Sequence, residues 1–305
     1  MPVIEEPSLV TVLSAMGRHG LMVIDTSHNM PVLKGTANYY SVLAQWNDRP
    51  PLLALDAEHR ERGWIALGKM GISPDAWYVA VHAREPGFSV QDESAHAHRN
   101  SDIRKLFPAI AEIRRRGGWV IRMGDPTMQP LPTLEGVVDY AVHPSKSDWM
   151  DVFLCAEARF FVGNTSGIYL LATAFGTPCA LANVIPSSHI AFSPADVSIL
   201  KLIWSSRENR YLTFDEIFNR PVAEYRYADH FTKDGLRVDE NTEEELYELV
   251  VEMLDRSEGC YTLTPDDDAL HRRFFSLFRP GHFGYGAASR ICSKFLRRHR
   301  DLLRS

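Results

Sequence analysis

Tyr78-Val-Ala-Val-His-Ala-Arg84 decides the reading of this chain, because a short apolar run rich in strand-formers ends there in polar, chemically capable side chains. Such a run reads as a buried strand whose carboxyl end carries His82 and Arg84. Outward from it, Leu106, Ile110 and Ile113 repeat at helical spacing within 103–116, with Gly117-Gly118 at the C-cap position. Trp119 to Met123 reads as the second strand and Val137 to Ala141 as the third. Ser147 opens a helix that carries Val152, Phe153 and Leu154 inward and ends near Ala158. Arg159 to Gly163 and Cys179 to Ala182 read as further strands, separated by a helix from Ser166 to Phe175 that stops before Gly176-Thr-Pro178. This alternation predicts a Rossmann-like, doubly wound parallel α/β sheet.

The flanks divide the chain into an N-terminal region of residues 1–75, a core of 76–190 and a loop-rich segment with C-terminal helices over 191–305. Leu21 to Ile24 reads as a strand and Ala57 to Met70 as a helix. Asn241-Thr-Glu-Glu-Glu supplies a cap and first-turn acids for a helix through Asp255. The last predicted helix, Ala287 to Leu303, holds Lys294, Arg297, Arg298, His299 and Arg300. Basic groups in a last turn complement the helix dipole, and that reading is preferred over docking on an anionic surface.

A hydrophobic content of 45% in 305 residues can fill a substantial core, and a net charge of −6 argues against a nucleic-acid partner. Any anionic ligand must therefore be held by a local site. MPVIEEPSLV lacks the basic and apolar regions of a signal peptide, and no apolar run reaches membrane-spanning length, so a soluble cytoplasmic protein is expected. Cys155, Cys179, Cys260 and Cys292 are too scattered for metal-ligand spacing and are expected to be reduced packing residues.

Arg84 at a strand end can clamp a diphosphate with paired donors and stabilise charge on a departing nucleotide, with His82 and Glu85 beside it as catalytic candidates. Gly163-Asn164-Thr165-Ser166-Gly167 joins a strand to a helix start, where small residues, hydroxyls and free N–H groups suit a phosphate. Arg122, Gly124 and Asp125 end the second strand as donor-binding candidates, Gly124 allowing close approach and Asp125 suited to a ribose or sugar hydroxyl, although Gly-Asp-Pro equally makes a turn. Asp139, Ser147 and Asp148 are candidates for contacts to ribose or base, their alternative role being caps and first-turn acids. Glu85, Asp92, Glu93 and His96 are candidate bases in the loop after the first strand. HExxH and DxD are absent, so no metal is expected, and GxGxxG, GxxxxGK[ST] and GxSxG are absent too.

Taken in order, Trp77 to Arg84, Arg99 to Asp102, Gly117 to Asp125, Lys146 to Asp151, Phe160 to Gly167 and Phe175 to Pro178 resemble a family of bacterial glycosyltransferases found among surface-carbohydrate and secondary-metabolite genes. More distantly, His82-Ala-Arg84 resembles the donor-diphosphate element of GT-B fucosyltransferases. The resemblance implies a GT-B-like fold and metal-independent transfer from a nucleotide-diphosphate sugar to an acceptor hydroxyl, with no cofactor. It also implies that Arg84 clamps the β-phosphate, Thr165 and Ser166 cradle the diphosphate, and His82 lines the pocket. A GT-B enzyme carries an acceptor domain, and the 75 residues before the core would be a reduced one, completed by a homodimer or partner subunit. A nucleotide-sugar epimerase or hydrolase, and a non-catalytic nucleotide-sugar-binding subunit, are the alternatives.

Overall fold

Residues 22–25, 30–33, 49–51, 53–87 and 90–303 are described by the computed structural model of the chain. Its strands are β1 (Met22–Asp25), β2 (Met30–Leu33), β3 (Tyr78–His82), β4 (Trp119–Arg122), β5 (Val137–Val138), β6 (Phe161–Gly163), β7 (Cys179–Val184), β8 (Val197–Leu200), β9 (Leu202–Ser205), β10 (Arg210–Tyr211), β11 (Leu236–Asp239) and β12 (Arg290–Ile291). Its helices are α1 (Ala57–Lys69), α2 (Val90–His96), α3 (Phe107–Arg115), α4 (Asp148–Glu157), α5 (Gly167–Ala174), α6 (Phe214–Asn219), α7 (Ala228–Lys233), α8 (Glu243–Ser257), α9 (Pro265–Phe275) and α10 (Ser293–Arg298).

Seven parallel strands form the main sheet in the order β12-β8-β7-β6-β3-β4-β5. The chain enters at β3, runs outward through β4 and β5, then returns to the other flank of β3 and runs out through β6, β7, β8 and β12. Strand order therefore reverses between β3 and β6, the point where open α/β sheets leave a ligand crevice outside their carboxyl ends. The register sets His82 against Gly163 and Val81 against Arg122 across that edge. All five residues of β3 and all six of β7 are buried, as strands covered on both faces must be. β9, β10 and β11 make a separate antiparallel sheet, and β1 pairs with β2.

Local chemistry explains the element ends. Asp56 caps α1 by accepting from the His59 N–H at 2.7 Å, and Thr213, Thr242 and Thr264 each make a capping box at the start of α6, α8 and α9. Asn241 is thus not the cap of α8. Its amide instead donates to the Leu200 carbonyl at 2.8 Å, and its Oδ1 accepts from the Asn183 N–H at 2.7 Å. The predicted helix over 103–116 divides into a 3-10 turn, Ile103–Leu106, and α3, whose first turn holds Pro108, a residue with no N–H to donate.

The predicted last helix is corrected more deeply. Arg290 and Ile291 join the sheet beside β8, where Arg290 N donates to Asp196 O at 3.0 Å, so the helix begins only at Ser293. Ser289 Oγ anchors this edge on the Ala191 carbonyl at 2.5 Å. The sheet thereby crosses residue 190. Cys155, Cys179 and Cys292 are buried and unbridged, Cys260 is exposed, and burial pushes the Cys155 thiol up to about 12. Among the described residues no helix is long and apolar enough to cross a membrane.

Candidate functional site

Asn164, buried just beyond β6, ties the two sides of the switch point together. Its Oδ1 accepts from the Arg84 N–H at 3.0 Å and from Ser101 Oγ at 3.0 Å, and its amide donates to the Arg99 carbonyl at 3.4 Å. Gly163 permits the close approach, since a Cβ there would stand 2.7 Å from the His82 carbonyl oxygen. His82 is buried at the end of β3, and its Nδ1 lies 3.2 Å from the Met123 carbonyl. A carbonyl only accepts, so Nδ1 carries the proton. Burial, opposed by that bond and aided by Arg122 and Arg84, lowers the ring to about 4, leaving it neutral at pH 7.

Three cations surround the crevice. Arg84 donates to the His96 carbonyl at 3.3 Å and to Asn100 Oδ1, Arg99 donates to the Thr165 carbonyl, and Lys201 donates to the carbonyls of His98 at 3.0 Å and Asn100 at 2.6 Å. Every one of these acceptors is a neutral oxygen, and among the described residues none of the three cations has a carboxylate within ion-pair distance. Burial holds Lys201 down to about 8, partly opposed by the Glu240 charge, and burial with the Arg84 charge lowers Arg99. Around them lie buried polar atoms with no hydrogen-bond partner: both ring nitrogens of His98, Arg99 Nε, Ser166 Oγ and Ser187 Oγ. Ser166 is the N-cap of α5 yet makes no side-chain cap bond, so its hydroxyl and the helix's free N–H groups stand together. Cations that donate only to neutral oxygens, beside unfilled donors at a helix start, are the groups an anion would use.

Other sequence-predicted residues are placed differently. Arg122 is fully buried and donates to Glu85 Oε1 at 2.7 Å and Asp139 Oδ1 at 2.9 Å. The remaining oxygens accept from the N–H groups of Gln129 at 3.2 Å and Leu131 at 2.7 Å, so the three side chains form an ion triad in which Arg122 Nε alone lacks a partner among the described residues. Asp125 accepts from Thr127 N at 2.9 Å in a turn, and a Cβ on Gly124 would meet Met128 Sδ at 2.2 Å, so packing explains that glycine. Ser147 precedes α4 without a cap bond, and Asp148 is an exposed first-turn acid. Thr165 Oγ1 donates to the Ile185 carbonyl at 2.9 Å, while a Cβ on Gly167 would meet open space. Glu93 accepts from the Asn100 amide at 2.5 Å and His96 Nδ1 donates to the Arg226 carbonyl at 3.2 Å; the Asp92 side chain lies outside the described residues.

Sequence reasoning passed over Lys201, although a lone lysine inside Val197-Ser-Ile-Leu-Lys-Leu-Ile203 is a detectable oddity: a buried lysine needs acceptors. Asp255, Glu258 and Cys260 also cluster, but Arg116 bridges the two acids at 2.7 and 2.8 Å.

Fold and site together define an α/β protein of Rossmann strand order with a group of cations at its switch point. No protein-family model matches the chain, and no curated protein matches it. Among solved structures it is similar to a glycosyl transferase family 9 protein from Veillonella parvula, at 12% identity and a TM-score of 0.33, over 46% of this chain and 40% of that one. The chain thus spans less than half the length of that protein.

Proposed function

We propose that the crevice binds the diphosphate of a nucleotide sugar and that the chain is a glycosyltransferase working without a bound metal. The observation that carries this reading is the set of cations, Arg84, Arg99 and Lys201, that donate hydrogen bonds only to neutral oxygens at the switch point. Cations held so close together repel one another, and a dianionic ligand between them relieves that repulsion. In a single displacement, an acceptor hydroxyl oxygen bonds to the anomeric carbon while the bond to the diphosphate breaks, its electron pair passing to a phosphate oxygen. Arg84 and Arg99 stabilise that charge, and Ser166 with the start of α5 donates to it. Lys201 holds the 98–100 segment that carries Arg99, and the Arg122 triad fixes the loops beyond β3 and β4.

Calorimetry against GDP, UDP, dTDP, ADP and CMP in the presence of a chelator tests the reading. Selective micromolar binding by one nucleoside diphosphate, weakened in Arg84→Ala, is expected. Indifference of the intact chain to all five would remove the proposal. Release of free sugar from the matching nucleotide sugar, with no acceptor consumed, would turn it toward a hydrolase.

A further inference from the structure

Two tethers bring a histidine and a glutamate, neither considered so far, to the rim of the same crevice. The Thr165 hydroxyl holds the Ile185 carbonyl at 2.9 Å, fixing the turn after β7 that leads to His189. On the other side Arg84 donates to the His96 carbonyl at 3.3 Å, and His96 in turn donates to the Arg226 carbonyl at 3.2 Å, two residues past Glu224. His189 Nε2 and Glu224 Oε2 then face each other at 3.5 Å. The second carboxylate oxygen is anchored by Ser188 Oγ at 2.5 Å and by the Phe283 N–H at 3.1 Å, so Oε2 is the oxygen left for the imidazole. The ring stacks on Phe283 with centroids 4.3 Å apart, which fixes its plane.

A base ring oriented by an anchored carboxylate is the arrangement used to take a proton from a hydroxyl. Nε2 is buried and meets the Glu224 carboxylate at ion-pair distance without hydrogen-bond geometry; with the ring proton on that side, the lone pair lies on Nδ1. We propose that His189 is the general base of the transfer and that Glu224 is its positioning residue. As the acceptor oxygen bonds to the anomeric carbon, its proton passes to His189 Nδ1, and the electron pair of the breaking bond leaves with the diphosphate. The imidazolium so formed sits against the Glu224 carboxylate and returns its proton to solvent. This assignment rests on the nucleotide-sugar reading above. The charged groups facing His189 are Glu224, Arg226 and Arg99, and His282 faces Glu224. Burial, the largest cause, lowers the ring below an ordinary histidine, and the glutamate partly restores it.

The test uses the full chain, wild type, His189→Gln and Glu224→Gln, with the nucleotide sugar whose diphosphate binds best by calorimetry. Nucleoside diphosphate release is followed against pH with water and with simple alcohols as acceptors. The expected result is diphosphate affinity within about twofold of wild type in both variants, with release at least about 100-fold slower in His189→Gln. In Glu224→Gln the acidic limb of the rate profile moves to lower pH, because the charge that favours the imidazolium is gone. If His189→Gln does not fold, that limb decides alone. Release by a folded His189→Gln within about threefold of wild type overturns the dyad, as does a wild type that binds the nucleotide sugar and releases nothing. Absence of any nucleotide binding is a different failure, since it removes the underlying reading and the dyad with it.

Discussion

Arg122 and Arg84 stand at the carboxyl ends of neighbouring strands, and the sequence presents Arg84 as a diphosphate clamp and Arg122 as a donor-binding candidate. Their surroundings differ in one decisive respect. Arg122 is fully buried and ion-paired with both Glu85 and Asp139, whereas Arg84 and its neighbour Arg99 bond to carbonyl and amide oxygens only. A buried cation without a counter-ion costs free energy unless a ligand supplies the charge. Placement at a strand end is therefore not enough to identify a ligand-binding arginine. The presence or absence of a carboxylate partner separates a cation already paired within the fold from one left open to an anion.

The largest expected effect breaks the structural side of that contrast. Arg122→Ala leaves two largely buried carboxylates unpaired, so urea denaturation should show a loss of about 3–5 kcal/mol. Adding Glu85→Gln and Asp139→Asn should return part of it, because the uncompensated charges go with their partner. Arg84→Ala should behave oppositely. Stability should change by less than about 1 kcal/mol, while nucleoside diphosphate binding weakens by about 1.5–3 kcal/mol, roughly 10- to 100-fold, by calorimetry. Equal loss of stability in the two variants would erase the distinction.

Lys201 sharpens the contrast through pH. Its folded value, held near 8 by burial, lies below the unfolded value of about 10.4. The unfolded chain therefore binds more protons in this window, and the lysine's contribution to stability rises as pH climbs from about 8 to about 10.4. Anion binding needs the protonated form, so diphosphate affinity should fall over the same rise in pH, by at most about tenfold per unit. Opposite slopes for stability and affinity in wild type, both reduced in Lys201→Met, are the expected outcome of parallel denaturation and calorimetry series.

Much of the frame was legible because the strands β3, β4, β6 and β7 are short apolar runs closed by Gly, Pro or polar groups. The return of the chain from β5 to the far side of β3 was not, since no local pattern records which strands become neighbours. Nor was β12, a two-residue strand whose pairing partner lies some 90 residues earlier. Of the residues gathered at the switch point, His82, Arg84 and Asn164 were legible as strand-end residues. The misleading case is Arg122: its partners lie 37 and 17 residues away, and nothing in Arg122-Met-Gly-Asp125 announces them. His189 and Glu224 were hidden for the same reason, being joined only by folding.

The basic C-terminal segment extends the same criterion to the surface, where the expected effect is smallest. Arg298 pairs with Glu244 at 2.9 Å and Glu248 at 3.0 Å, Arg297 pairs with Asp267 at 2.5 Å, and Arg300 pairs with Asp266. His299 meets Glu245 at 2.5 Å, and Lys294 approaches Glu248 at 3.9 Å. A cluster that reads as five bare cations in sequence is thus matched by acids on α8 and α9. Its attraction for an anionic surface is cancelled close to its source, and salt screens what remains beyond a Debye length of about 8 Å. Arg298→Ala should cost only about 0.2–1 kcal/mol, as exposed pairs do, and the wild-type chain should not sediment with anionic vesicles more than with neutral ones. Vesicle binding that Arg298→Ala abolishes would show that a paired cation can still serve a ligand, and the carboxylate criterion would then fail for Arg122 as well.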